Sequence, residues 1–305
     1  MNIIVFGAGS IGSLFAGRIA YSGFDVSVVG RNPHVTEINK KGLRILEDQE
    51  ELLSHFPART SFHSEVVAPE AIFVTTKAYD NGVVANNMAG RISNETPIFV
   101  LQNGMGNERV FYKHLPQNPI FRAITTEAAE LIYPGIVKHV AFGKTSFGII
   151  TGQENGFGQR IQNIMRKSGF NTKKTTKIQL KMWQKLLTNA TICPLGALLH
   201  VPNGNILQKP SIKRIFEEIL KEGLAVATHN LPDEDFSLTH EFILKVMGKT
   251  KDNRCSMLQD IERGRKTEID YINGFIVQES RRLGLKAPVN AAIADLIRHL
   301  EQYPQ

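Results

Sequence analysis

Three groups of residues have types and spacing suited to chemistry. The run Gly7-Ala8-Gly9-Ser10-Ile11-Gly12 holds a G-x-G-x-x-G pattern. Between a strand and a helix, the first glycine permits a tight turn. The second removes a side chain so that a pyrophosphate can approach the backbone. The third lets helix and strand pack closely, and the helix N-terminus offers free N–H groups to phosphates. That is dinucleotide-binding chemistry; the competing reading is a glycine-rich turn with no ligand. In a second group, Lys185, Asn189 and Cys193 recur every four residues, which puts an ammonium, an amide and a thiol on one helix face. In a third, Ser256 and Asp260 are one helical step apart, and Glu268 lies eight residues on, along roughly the same face of a continuous helix. By spacing alone the last two groups read as solvated stripes beside a core.

The elements around them follow from hydrophobic pattern. Residues 2–6 (NIIVF) read as a buried parallel strand and 10–22 as a helix with apolar Ile11, Leu14, Phe15, Ile19 and Ala20. Gly23 is placed to end that helix, and 25–29 (DVSVV) is the next strand, which completes a βαβ unit. Further strands are expected at 71–77, 97–103, 121–131, 136–142 and 145–150, the last two close enough in sequence to pair antiparallel. A helix is expected around 83–92. From Lys177 onward the pattern is helical: 177–200, 211–229, 237–249, 254–283 and 289–301, punctuated by Pro202, Pro210, Pro232, Gly284 and Pro288. The expected fold is α/β: an N-terminal Rossmann-type doubly wound parallel sheet over residues 1–176, then an all-α C-terminal domain over 177–305.

Ligands of open α/β sheets bind at the carboxyl ends of the strands. An NAD site there usually carries an Asp or Glu about 20 residues after the glycines, at the end of the second strand, to hold the ribose 2′-OH. This chain has Val29-Gly30-Arg31-Asn32 instead. A guanidinium without a carboxylate suits a 2′-phosphate, so NADP(H) is the expected cofactor; the alternative leaves Arg31 a solvated loop residue. Lys77 and Asn103 end the third and fourth strands on the same side, where the nicotinamide half of a dinucleotide passes.

Several tracts together carry a family resemblance. GAGSIGS at the start, TTKAYD (75–80), LQNGMGNE (101–108), KMWQKLLTNATICPLGALLHVPNGNIL (181–207) and SMLQDIERGRKTEIDYINGFIVQESRRLG (256–284) resemble the ketopantoate reductases (2-dehydropantoate 2-reductases) along the whole chain. The resemblance implies NADPH-dependent reduction of 2-dehydropantoate to pantoate, on the pantothenate and coenzyme A route. It places the family's catalytic lysine at Lys185 and its active-site glutamate at Glu268. It places substrate-binding residues at Asn103, Asn189, Asn203, Asn253 and Ser256. Cofactor contacts are implied at Gly7, Ala8, Gly9, Ser10, Ile11, Gly12, Arg31, Lys77, Asn103 and Glu268. The family pattern I-N-P-L reads Ile192-Cys193-Pro194-Leu195 here. A thiol is a far poorer hydrogen-bonding group than an amide, so either another residue makes that contact or the chain reduces another branched 2-oxo acid. A non-catalytic NADP(H) sensor is the reading from another class, and it leaves the lysine, glutamate and serine without a use.

Composition narrows the rest. The chain has 305 residues, 42% hydrophobic and 21% charged, an ordinary globular mixture. The net charge of +7 is spread evenly, 18 basic against 14 acidic side chains before Lys177 and 18 against 15 from Lys177 onward. No basic arm or nucleic-acid motif accompanies it, so nucleic acid is not an expected partner. Two cysteines are too few for a disulfide framework and fit a reducing cytosol. No signal peptide, membrane span or metal site is expected, which points to a cytoplasmic protein with a small-molecule substrate. Helical C-terminal domains of this kind often assemble as dimers, so a homodimer is among the expected partners.

Overall fold

A row of cross-strand phenylalanines marks the centre of the first unit. The structure, a computed structural model, describes residues 2–48, 50–62 and 69–302. The strands are β1 (Ile3–Phe6), β2 (Val26–Val29), β3 (Leu43–Leu46), β4 (Glu51–Ser54), β5 (Ala58–Arg59), β6 (Ala71–Val74), β7 (Ile98–Val100), β8 (Ile120–Thr125), β9 (Ala128–Tyr133), β10 (Ile136–Ala141), β11 (Thr145–Thr151) and β12 (Thr172–Lys174). The main sheet has the order β12-β11-β8-β7-β6-β1-β2-β5 and is parallel except where β11 meets β8. Phe73, Phe99 and Phe121 are in register on β6, β7 and β8, with ring centroids 5.2 and 4.5 Å apart. Because alternate side chains point to opposite faces, Ile3, Val5, Phe73, Phe99 and Phe121 join one core while Ile4, Phe6, Ile72, Val74, Ile98 and Ile120 join the other. Both faces are buried, so these strands read as unbroken apolar runs.

Helices α1 (Ser10–Tyr21), α2 (His34–Lys41), α3 (Asn81–Met88), α4 (Asn107–His114) and α5 (Phe157–Lys167) complete the first unit. Its boundaries are Met1–Gln102 and Asn107–Ile178, and the second unit is Asn103–Gly106 with Gln179–Gln305. Two sequence expectations are corrected here. The run 121–131 is two strands, and β8 and β9 belong to different sheets. The strands β10 and β11 do not pair: β10 lies between β3 and β9 in a second sheet of order β4-β3-β10-β9, and β11 pairs with β8. The bend falls at Thr126–Glu127, where a Cβ on Gly143 would lie 2.2 Å from the Thr126 carbonyl carbon, so only glycine admits the crossing chain.

Where the two sheets meet, buried His139 lies between two carboxylates, with Nε2 2.8 Å from Glu127 and Nδ1 3.1 Å from Glu47, and Glu47 also pairs with Arg18. Burial pulls the imidazole pKa down, but the two carboxylates outweigh it and hold the pKa above its ordinary value.

The second unit is helical: α6 (Ile178–Leu199, its first residue in the first unit), α7 (Pro210–Asn230), α8 (Thr239–Lys249), α9 (Ser256–Glu262), α10 (Asn273–Arg282) and α11 (Pro288–Gln302). The helix α7 opens on Pro210, which needs no intrahelical donor there, and buries Phe216, Ile219, Leu220, Gly223, Val226 and Ala227 at helical spacing. A Cβ at Gly223 would sit 2.5 Å from Leu187 Cδ2, so α6 and α7 approach closely at this point. The expected helix 254–283 is interrupted: α9 ends at Glu262, the chain reverses through Gly264 (φ +61°), and a short 3-10 turn (Ile269–Tyr271) precedes α10.

Pro194 lies inside α6. It has no N–H, so the Ala190 carbonyl loses its helical donor. Fully buried Asn273 replaces it: Nδ2 donates to Ala190 O at 3.1 Å and to Asn290 Oδ1 at 3.0 Å. Asn290 Nδ2 in turn donates to Ile219 O and Glu222.

Candidate active site

The first unit shapes the glycine turn as the sequence requires. Gly7 has φ +106°, and a Cβ there would lie 2.5 Å from Thr76 N. A Cβ on Gly12 would lie 1.9 Å from Gly7 O, so α1 reaches β1 only with glycine. Gly9 has nothing within 4 Å of where its Cβ would stand, which leaves open space over the turn. A cradle closed at Gly7 and Gly12 and open at Gly9 fits a dinucleotide pyrophosphate. Thr75 supports the turn by donating from Oγ1 to Phe6 O and Gly7 O. Ala8 and Ile11 are half-buried, and Ser10 Oγ accepts from Leu131 N at 3.1 Å, which ties α1 to β9.

Arg31 follows β2 with its side chain largely exposed, and Nη2 pairs with Asp80 at 3.0 Å. An exposed pair of this kind contributes at most about 1 kcal/mol, so an anionic ligand can redirect the guanidinium at small cost. Asp80 belongs to the TTKAYD tract but was not among the expected site residues. Lys77 lies half-buried just past β6. Gln102, also unexpected, fixes that stretch: Nε2 donates to Thr76 O at 2.8 Å and Thr76 Oγ1 at 3.0 Å, and buried Arg122 donates to Gln102 O at 3.1 Å. A glutamine closing an apolar strand was the available signal, because a buried amide there must find partners.

Asn103 leaves the β-unit altogether. Residues 103–106 pack with the helices, where Met105 N donates to Tyr271 O at 2.9 Å. Gly104 has φ +76°, and a Cβ there would meet Tyr271 O at 2.4 Å. This brings Asn103 to Glu268, a buried carboxylate, and Asn103 Nδ2 donates to Glu268 Oε2 at 3.2 Å. Glu268 stands just before the 3-10 turn and not on α9, so it does not share a helix face with Ser256 and Asp260.

Lys185, Asn189 and Cys193 follow one another along α6 as spaced. The charges of Lys185 and Glu268 act with opposite sign on the buried Cys193 thiol. Asn203 is buried, with Nδ2 donating to Thr250 Oγ1 at 3.0 Å, while its Oδ1 has no partner among the described residues. The backbone of Asn203 and Gly204 clamps the loop before α9 through Asn253 O and Lys251 O. Asn253 and Ser256 are exposed on that loop and at the start of α9. Among the described residues no cluster of His, Cys, Asp and Glu is arranged to hold a metal, and no helix is long and apolar enough to cross a membrane.

Comparison with known proteins now decides the family. Residues 3–152 match the family described as Ketopantoate reductase PanE/ApbA, and residues 177–301 match Ketopantoate reductase PanE/ApbA C terminal. The chain belongs to the ketopantoate reductase family. A 2-dehydropantoate 2-reductase of Pyrococcus horikoshii is 37% identical over 301 residues, 99% of this chain and 98% of that protein. Among solved structures, a PanE/ApbA family ketopantoate reductase from Ralstonia eutropha JMP134 superposes with TM-score 0.92 over all of both chains at 24% identity, a likeness of fold. D-mandelate dehydrogenase with NADH and anilino(oxo)acetate gives TM-score 0.91 at 25% identity, over 99% of this chain and 98% of that one. Members of this ketopantoate reductase fold thus include proteins named for different 2-hydroxy acids.

Proposed function

We propose that this protein reduces 2-dehydropantoate to pantoate with NADPH. In this assignment residues 1–176 bind the nucleotide and residues 177–305 bind the oxo acid and carry the catalytic groups. The observation that carries the reading is the hydrogen bond from Asn103 to Glu268 at 3.2 Å, which joins two residues expected in the site.

The roles follow from charge and donor capacity. The bound nucleotide supplies the hydride. Lys185 stabilises the alkoxide developing at the ketone oxygen and donates the proton to it, a contribution of about 10²–10⁴ in rate for general acids. Glu268 holds the ammonium in place, and Asn103 fixes the rotamer of Glu268. Asn189, Asn253 and Ser256 offer neutral donors to the substrate carboxylate and hydroxyl. Asn203 Oδ1, an acceptor with an open lone pair, accepts a hydrogen bond from a substrate hydroxyl. Arg31, with Lys77, supports the 2′-phosphate form of the cofactor, since β2 ends without a carboxylate.

Cys193 favours a second reading, in which the same groups reduce another branched 2-oxo acid. Absorbance assays of NADPH with 2-dehydropantoate, and with a panel including the 2-oxo acid of mandelate, distinguish the two by kcat/KM. We expect 2-dehydropantoate to lead and Lys185→Ala to lose at least a hundredfold in kcat while still binding NADPH. Absence of turnover with 2-dehydropantoate removes that substrate; unchanged turnover in Lys185→Ala removes the general acid.

A further inference from the structure

Cys193 and Cys255 lie 62 residues apart in sequence and meet in the second unit. Cys255 Sγ is 3.3 Å from the Cys193 carbonyl oxygen, to which its thiol donates. The Leu258 amide donates to the same sulfur at 3.4 Å. The helix α6 makes room for it: a Cβ at residue 196 would lie 3.3 Å from Cys255 Sγ, and that residue is glycine. Both residues are buried, at 7% and 8% exposure, so a reactant reaching them must be small.

We propose that Cys193 and Cys255 are an intramolecular disulfide site whose oxidant is hydrogen peroxide. Cys255 Sγ already touches the backbone of residue 193, so the two sulfurs can close to about 2.05 Å without bringing distant elements together. The chemistry balances in two steps. The Cys255 thiolate attacks one peroxide oxygen, the O–O bond breaks, and hydroxide leaves and takes the thiol's proton as water; Cys255 becomes a sulfenic acid. Cys193 sulfur then attacks Cys255 sulfur, and its proton departs with the sulfenic hydroxyl as a second water. Two thiols are oxidised and one peroxide is reduced to two waters.

The environment divides the roles. The neighbouring Cys193 side chain first, then the backbone donors led by Leu258, hold Cys255 below the usual thiol range against its burial. The neighbouring Cys255, with burial, holds Cys193 well above that range. Cys255 is therefore the attacking sulfur and Cys193 the resolving one. In a reducing compartment the pair stays as thiols until peroxide rises, the pattern of reversible rather than structural bridges. The inference stands on the thiol geometry and is independent of the reaction proposed above, although the bridge falls on the helix face that carries Lys185 and Asn189.

The test treats the full-length protein with graded hydrogen peroxide, then counts thiols after denaturation and maps tryptic peptides by mass. The expected result is loss of both thiols, and one linked peptide pair, Cys193 to Cys255, lighter by two hydrogens and restored by dithiothreitol. Cys193→Ser should stop at the sulfenic acid and give a dimedone adduct on Cys255. Cys255→Ser should keep its remaining thiol at peroxide doses that bridge the unsubstituted protein. Retention of both thiols, linkage only between separate chains, or a dimedone adduct on Cys193 in the Cys255→Ser variant at equal dose overturns the proposal.

Discussion

Asn273→Ala tests whether the buried amide completes the helix that Pro194 interrupts. The substitution deletes two donated bonds, to Ala190 O and Asn290 Oδ1. Each is worth about 1 kcal/mol net, and the buried Ala190 carbonyl is left without a donor, at a further cost of about 1–3 kcal/mol. The expected loss is about 3–5 kcal/mol. Restoring the helical donor changes that figure. In a Pro194→Ala background, the residue 194 N–H donates to Ala190 O, and Asn273→Ala then costs only about 1–2 kcal/mol. A double-mutant cycle should therefore give a coupling of about 2–3 kcal/mol. The single tryptophan, Trp183, is buried in the same unit and packs on Phe275 with centroids 5.9 Å apart. Its fluorescence in urea titrations reports the unfolding of this unit directly. A coupling within about 0.5 kcal/mol of zero, the scatter of independent sites, would refute the reasoning.

Two further outcomes are expected. Arg31→Ala should raise KM for NADPH about 10–100-fold, one charge-assisted phosphate contact of about 1.5–3 kcal/mol, and leave KM for NADH nearly unchanged; equal effects on both cofactors would return Arg31 to the solvated surface. His139 sets a pH dependence of stability. Its folded-state pKa is raised, so the imidazolium's contribution is complete below the unfolded value near 6.5 and is lost as pH rises through the folded value. Urea midpoints should fall from pH 6 to pH 8.5, His139→Gln should flatten that slope, and midpoints that rise over the same interval count against it.

Much of the fold was legible because its strands are buried on both faces. NIIVF, AIFV and PIFV announce themselves as apolar runs, and Gly7 and Gly12 each meet a steric demand that the structure displays. Half of the small second sheet, β3 and β4, was not legible. Its strands LRIL and ELLS are four residues each, with alternating exposure, and they resemble the margins of a helix or a loop. The division of 121–131 depends on a chain crossing at Gly143, a tertiary event with no local pattern. The candidate site divides the same way. The stripe of α6 is a matter of helical period. Glu268 belongs with Asn103 because the chain reverses after α9, and an extrapolated helix face gives it the wrong neighbours. Gln102 and Asp80 were readable as polar residues at strand ends, but their partners come from other strands and loops.

The four residues Asn103–Gly106 give the chain an unusual order of completion. They leave the ribosome with the strands of the first unit, yet the side chain that receives Asn103 is synthesised 165 residues later. Glu268 cannot acquire its bonded neighbour from any piece of the polypeptide that begins at α6. The helical unit is therefore not a transplantable module: cut at residue 178, it loses the segment that caps Tyr271 and orients Glu268. Gene fusions, split-protein pairs and domain exchanges between relatives must carry this tetrapeptide with the helices, although it is encoded among the strands.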